Sequence, residues 1–595
     1  MGDNAYVTMT KRNLSCAILV TRARAVIPSL FPTEMPLSLS IDPESIVERA
    51  HDDPVIAAKH ALGKSTSTSY SISHGGRYQT APIPKYSIPE HGMDAEAAYQ
   101  IVTDDIQLDG KPGLNLATFV HTWMPEPGRR LINETMNVNL CDQDEYPATM
   151  SVHSRCISIL ADLWKQPKMK RTDGRSQAAI GTATTGSSEA IMLGLLAAKK
   201  RWMERRKAEG KSPYEPGPNL VFGSNVQVAI EKFARYWDVE ERPVPIDEST
   251  NYCLDPKRAM EYIDENTIAV VVIMGSTYTG HYEPVAEMAE LLDDYQQRTG
   301  IDVPIHVDGA SGAMVAPFAT PDVKWSFEVP RVVSINTSGH KFGMVLPGLG
   351  WVVFRSADLV PKDLVFELHY LGSVEYSFGL NFSRPAAPVL AQMFNFLNLG
   401  REGYARTMNA NLQNARLLSR ALEFSGLFTV LSDIHRPVDG NTALSIEHLS
   451  EDQRAACTDA RHYKPGLPVV AFRWTDEFRE NYPNLRQHAL QVLLRTKGWI
   501  VPNYELSPNL QDVEVLRVVV KDTLTENMID TLVHDIVHIT RDLAESQSGL
   551  PARVIGCIDS STEAAIKHAH KKRNDAALAR PLGAGVRGLG YSKQC

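Results

Sequence analysis

Apolar positions along this chain recur in two rhythms. Before about residue 95 there is little rhythm of either kind, and "GKSTSTSYSISHGG" is a low-complexity Ser/Thr/Gly stretch. Beyond it, "SRCISILADLW" (154–164) and "SEAIMLGLLAAKKRWMERRKAEG" (188–210) space their apolar residues as one face of a helix. The second opens on Ser188 and stops at Gly210, a fitting start and stop. Between and after them come short, nearly continuous apolar runs: "NLVFG", "TIAVVVIM", "VPIHVDG", "RVVSINT" and "GWVVF". Strand-length runs alternating with helical ones predict an α/β fold with a mostly parallel sheet.

A long helical segment, "NFSRPAAPVLAQMFNFLNLGREGYARTM", then leads into a second pattern. There, strands "PVVAFRW" and "EVLRVVV" mix with helices "LRQHALQVLLRTKG" and "ENMIDTLVHDIVHITRDLAE". The expected organisation is an extension over 1–95, a large domain over 96–395, a smaller C-terminal α+β domain over 396–550 and a flexible basic tail over 551–595. An insert at 437–466 reads as a surface excursion.

Composition narrows the class. The 595 residues are 43% hydrophobic and 22% charged, ordinary for a soluble globular chain. Net charge is 61 − 70 = −9, so nothing favours nucleic acid. Seven scattered Cys lack metal spacing and read as free thiols in a reducing, cytoplasmic setting. The longest apolar run, "IAVVVIMG", is too short for a bilayer, which takes about 18 residues. From Asn4 to Thr33 there is no acid, while Lys11, Arg12, Arg22 and Arg24 are basic. That resembles a transit peptide, and a disordered extension or a misplaced gene start fits as well.

Two residues raise a specific chemistry. Asp308 ends the run "IHVD", and a carboxylate at the C-terminal end of a strand in an open α/β sheet sits where ligands bind, although a turn-starting Asp-Gly reads the same way. Lys341, in "SINTSGHKFG", follows the next strand. An acid and an amine on one rim suit pyridoxal phosphate: the amine forms a Schiff base with the aldehyde, and the acid keeps the ring nitrogen protonated. "TTGSSEA" offers Gly186, Ser187 and Ser188 at a helix N-terminus, where a phosphate is favoured. A plain Ser N-cap explains the same residues. Ser338 and His340 could add donors. "GAGVRG" (583–588) fits a dinucleotide fingerprint but has neither strand before it nor room for a helix after it.

"HVDGASG", "SGHKFG" and "GSSEA" together resemble the group II pyridoxal-phosphate decarboxylases, and most of all the glutamate decarboxylase family of bacteria, plants and fungi. "NLATF", "NLCDQDEYP", "FARYWDVE", "STYTGHYE", "NFSRP" and "LGREGY" extend the likeness over roughly 85–550. The resemblance implies an aspartate-aminotransferase-like (fold type I) enzyme that converts L-glutamate to 4-aminobutanoate and CO2, with Lys341, Asp308 and Tyr370 as catalytic residues. It implies Gln227 stacked on the cofactor ring, Thr277 near its phenolic oxygen, and Ser383 reaching the neighbouring subunit's phosphate, hence an obligate homodimer, with a hexamer possible. Thr118, Phe119, Asn139 and Asp142 match the pocket for the distal carboxylate, and Arg517 the partner of the α-carboxylate. An Asp beside a carboxylate raises one pKa of the pair, which suits an acidic optimum.

No metal is implied. The chain ends "YSKQC", without the C-terminal His that plugs the site in bacterial members. Plant members bind calmodulin through a basic tail. "KHAHKKR" (567–573) is basic, but its surroundings are poor in bulky apolar anchors, and a solvated tail explains it too. The rival readings are a decarboxylase for aspartate or cysteine sulfinate, and a silent homologue with a calmodulin-binding or scaffold role.

Overall fold

The computed structural model describes residues 87–168, 178–368, 375–438 and 460–546. The chain forms two compact units, Met1–Asp109 and Gly110–Cys595. In the first, the described residues carry helix α1 (Ala95–Ile106), capped by the Asp94 carboxylate, which accepts from Glu96 N–H.

The second unit is organised by strand β4 (Thr267–Ile273), "TIAVVVI", in which every residue is buried. A strand apolar on both faces belongs in the middle of a sheet covered on both sides. Around it lie β1 (Ile180–Thr184), β2 (Asn219–Gly223), β3 (Glu240–Val244), β5 (Ile305–Asp308), β6 (Val332–Ser338) and β7 (Gly350–Phe354), in the order β1-β7-β6-β5-β4-β2-β3. β7 alone runs against the others. The expected mostly parallel sheet is therefore present, with one reversed strand near an edge. β3, "EERPV", pairs only with β2, and its Pro243 is tolerable because an edge strand need not donate on both sides.

Alternation along the strands divides the core. Leu220, Phe222, Val271 and Ile273 pack into one apolar layer with Ile191, Trp202 and Phe233. Those partners come from α4 (Ser187–Ala208) and α5 (Val228–Tyr236), counting α2 (Glu126–Thr135) and α3 (Pro147–Leu163) before them. Val221, Val270 and Val272 point the other way, into a layer with Leu160 of α3 and with Met288 and Leu292 of α6 (Val285–Thr299). α3 starts seven residues before the predicted 154, because Pro147 takes the first helical turn, where its missing N–H costs nothing. After a two-stranded ribbon, β8 (Phe366–Leu368) with β9 (Glu375–Ser377), the long helix α7 (Ala387–Phe424) appears as predicted, broken at Gly400 with φ 59°.

A second sheet of β10 (Phe428–Val430), β11 (Val469–Trp474), β12 (Asn503–Glu505) and β13 (Glu514–Val519) is antiparallel in the order β10-β11-β13-β12. α8 (His488–Thr496) and α9 (Glu526–Ser546) contribute Leu490, Leu494, Leu532 and Ile536 to the same core as Val470 and Val518.

Where β2 and β4 end, one buried acid ties the rim together. Glu283 is 2% exposed and accepts from Ile273 N–H (2.7 Å), Leu254 N–H (3.0 Å) and the Asn225 amide (2.9 Å). Removing it strands three buried donors at once. Glu283→Ala should cost about 3 kcal/mol or more, read as a lower urea midpoint at unchanged slope; an unchanged midpoint would refute this role.

Candidate functional site

All the parallel strands of the large sheet point their C-terminal ends at one rim, and the polar residues predicted from the sequence collect there. β5 ends on Asp308, which is 3% exposed. Its Oδ1 accepts from Ala310 N–H (3.0 Å) and from the Asn336 amide (2.8 Å). β6 ends on Ser338, and a tight turn, Lys341 N–H to Ser338 O at 3.2 Å, brings Lys341 back over the rim. Lys341 is 8% exposed, with its ammonium 5.2 Å from the centre of the Phe119 ring. Between the acid and the amine lies a cavity of about 310 Å³.

One end of the cavity is built for an anion. Gly186 caps α4, and Ser187 and Ser188 form its first turn, so free backbone N–H groups and the positive end of the helix dipole face the space. Ser338 Oγ is buried on the same wall without a hydrogen-bond partner among the described residues. A buried hydroxyl with no protein partner is uncommon and marks a place for a ligand atom. His340 also lines the wall. Burial, and then the neighbouring Lys341, lowers its pKa to about 4, so the ring is neutral. Its Nδ1 accepts from Leu349 N–H (3.4 Å), which leaves the ring proton on Nε2.

Gln227 and Thr277 line the cavity as well. Gln227 has a second task that the sequence did not suggest: its carbonyl oxygen caps α5 by accepting from Ala229 N–H (2.7 Å). Phe119 and Val120 complete the wall below Lys341.

Other predicted residues are placed elsewhere. Thr118 does not line the cavity; its hydroxyl accepts from Val120 N–H (3.1 Å) and shapes the turn that presents Phe119. Arg517, on β13, is 4% exposed and stands outside the wall. Its guanidinium donates to Thr277 O (2.7 Å) and to Ala117 O, with its carbon 4.9 Å from the Phe119 ring centre. Its Nε is buried with no partner among the described residues. Asn139, Asp142 and Ser383 form a cluster of their own: the Asn139 amide donates to Asp142 Oδ1 (3.1 Å) and Ser383 Oγ (3.4 Å), and none of the three lines the cavity. Tyr370 lies outside the described residues, as do most of the 437–466 insert and the tail with its basic tract.

Sequence reasoning passed over Asn336 and His306, both fully buried, and Asn225 on the cavity wall. The signal was available. In "IHVD" and "SINTS" every second residue is polar, although both runs are buried strands.

The residues present fit pyridoxal phosphate: an amine for its aldehyde, an acid for its ring nitrogen, and a helix N-terminus with an unpartnered hydroxyl for its phosphate. Comparison with known proteins agrees. The pyridoxal-dependent decarboxylase conserved domain matches residues 84–438. A glutamate decarboxylase of Saccharomyces cerevisiae is 43% identical over 486 residues, 78% of this chain and 80% of that protein. One from Solanum lycopersicum is 41% identical, covering 83% of this chain and 89% of that one. The solved structure of glutamate decarboxylase from Lactobacillus brevis superposes with a TM-score of 0.70 at 34% identity, over 79% of this chain and 97% of that one. The chain belongs to the pyridoxal-dependent decarboxylase family.

Proposed function

We propose that this chain removes the α-carboxylate of L-glutamate as CO2 and leaves 4-aminobutanoate, using pyridoxal phosphate held in the cavity at Lys341. The glutamate decarboxylases that resemble it along most of its length support the substrate. The observation that carries the chemistry is the convergence of Lys341 and Asp308 on one buried cavity that ends in an anion cradle.

When bound, the cofactor supplies an electron sink for the pair left on Cα as CO2 departs. The protein's tasks are then local. The Lys341 amine would be the group that holds the cofactor by its aldehyde and gives way to the amine of the substrate. Asp308 keeps a proton on the ring nitrogen, which makes the ring a stronger acceptor. Ser187, Ser338 and neutral His340 hold the phosphate. The departing carboxylate loses its charge, so a buried, dry wall such as Phe119 favours the reaction over the bound state. Cα regains a proton from Lys341 or Tyr370. The reaction balances as glutamate plus one proton giving 4-aminobutanoate and CO2.

Asn139, Asp142 and Ser383 fit this scheme as a contribution to a second copy's site. They sit together off the cavity of their own chain, and Leu380 and Phe382, next along the chain, are exposed by 44% and 38%. That supports a homodimer. Arg517 fits as the α-carboxylate's partner once substrate displaces one of its carbonyl contacts. Among the described residues no helix is long and apolar enough to cross a membrane, and the described cysteines, Cys141, Cys156 and Cys253, are free, which suits a cytoplasmic enzyme.

Incubating the purified chain with glutamate, aspartate or cysteine sulfinate and analysing the products tests the substrate: 4-aminobutanoate from glutamate alone is expected. Lys341→Ala should abolish the visible cofactor band and turnover, and Asp308→Ala should cost at least about a hundredfold in kcat; full activity in either variant would sink its assigned role. Mixing Lys341→Ala with Asp142→Ala subunits should restore about a quarter of normal activity, since half the random dimers carry one intact site of two. No recovery, with dimers reassembled, would rule out a shared site.

A further inference from the structure

Behind Asp308 the inner face of β5 and β6 carries a line of buried polar groups. The strands are in register with His306 opposite Ser334 and Asp308 opposite Asn336. His306 Nδ1 lies 2.7 Å from Ser334 Oγ, and its Nε2 lies 2.9 Å from Asn336 Oδ1. The Asn336 amide nitrogen donates to Asp308 Oδ1 (2.8 Å) and to Ser187 Oγ (2.6 Å). His306 and Asn336 have no exposed surface at all.

The directions of these bonds follow from the groups. A carboxylate only accepts, so Asn336 must turn its NH2 to Asp308 and its oxygen to His306. That oxygen only accepts, so His306 carries its proton on Nε2. Burial lowers the His306 pKa to about 4, and the neutral ring then takes a hydrogen bond from Ser334 at Nδ1. The whole line has one consistent arrangement.

We propose that Asn336 is a positioning residue for the cofactor, whose single amide nitrogen sets the separation between the ring-nitrogen acid, Asp308, and the phosphate cradle at Ser187, with His306 locking the amide against rotation. The inference rests on the reading of Asp308 given above. Among the described residues, the hydrogen bonds to the Asp308 side chain, from Ala310 N–H and the Asn336 amide, both end on Oδ1, which leaves Oδ2 for the ring. Gly194, in the middle of α4, belongs to the same device: a methyl group there would stand 2.7 Å from His306 Cε1 and 2.9 Å from Nδ1. A glycine in a helix interior weakens the helix, and here it makes room for the ring.

The test is a double-mutant cycle on the full chain, stripped of cofactor and titrated with pyridoxal phosphate, reading the dissociation constant and the visible band. Asn336→Ala should weaken binding about tenfold and shift the band, but add less than about twofold once Asp308→Asn is present. His306→Leu should behave alike, to a smaller extent. Losses that simply add in the Asp308→Asn background, or an Asn336→Ala chain that binds and absorbs as the parent does, would overturn the proposal. If Asp308→Asn itself changes neither affinity nor band, the reading of Asp308 fails, which is a different result. Should Asn336→Ala not fold, Gly194→Ala displaces the His306 ring from outside: a loss of affinity that vanishes with Asp308→Asn supports the proposal, and an unchanged affinity overturns the part given to His306.

Discussion

The site depends on the register between β5 and β6. Parallel strands meet with evenly spaced bonds, and here Asp308 stands level with Asn336 where the strands end. From that pairing the next positions follow: Ser338 two residues on, on the same face, and Lys341 after the turn. A slip of one residue would turn Asp308 and His306 into the apolar layer on the other face and bring Ile305 and Val307 to the cavity side. The apolar residues between them, Val307 and Ile335, are fully buried and hold the register from the opposite side.

Groups that carry charge in water line or border this cavity, and burial costs them differently. His340 and His306 yield by staying neutral, each near pKa 4. Glu189, just past the cradle, stays ionised although burial opposes it, because Thr185 and Asn381 surround it with donors that lower its pKa. It thereby joins the segment from Leu380 to Asn381 to the first turn of α4.

How much of this could be read from the sequence varied by residue, for physical reasons. Continuous apolar runs such as β4 and β7 were legible to within a residue, because burial on both faces leaves little else they could be. β1, "IGTAT", and β3, "EERPV", were not, being short and polar at the sheet's edges. Lys341, Asp308 and the Gly186–Ser188 turn were legible because each sits directly where an element ends. Asn336 and His306 were not, since a polar residue inside a buried strand means little until its partner across the register is known. The bonds of Arg517 join it to Ala117 and Thr277, far away in sequence, and no local pattern could reveal them. Asn139, Asp142 and Ser383 were legible as a set only through resemblance, and the structure gathers them in a place apart from the cavity.

Gln227 carries a final consequence. Because its carbonyl already caps α5, its side chain is held in one conformation before anything enters the cavity. A long, flexible side chain loses up to about 2 kcal/mol of rotamer entropy when it is immobilised. Here most of that loss falls on folding, so a flat ring arriving beside Gln227 meets a surface that has little further freedom to give up. The helix cap and the binding wall are one side chain, and its ordering is shared between them.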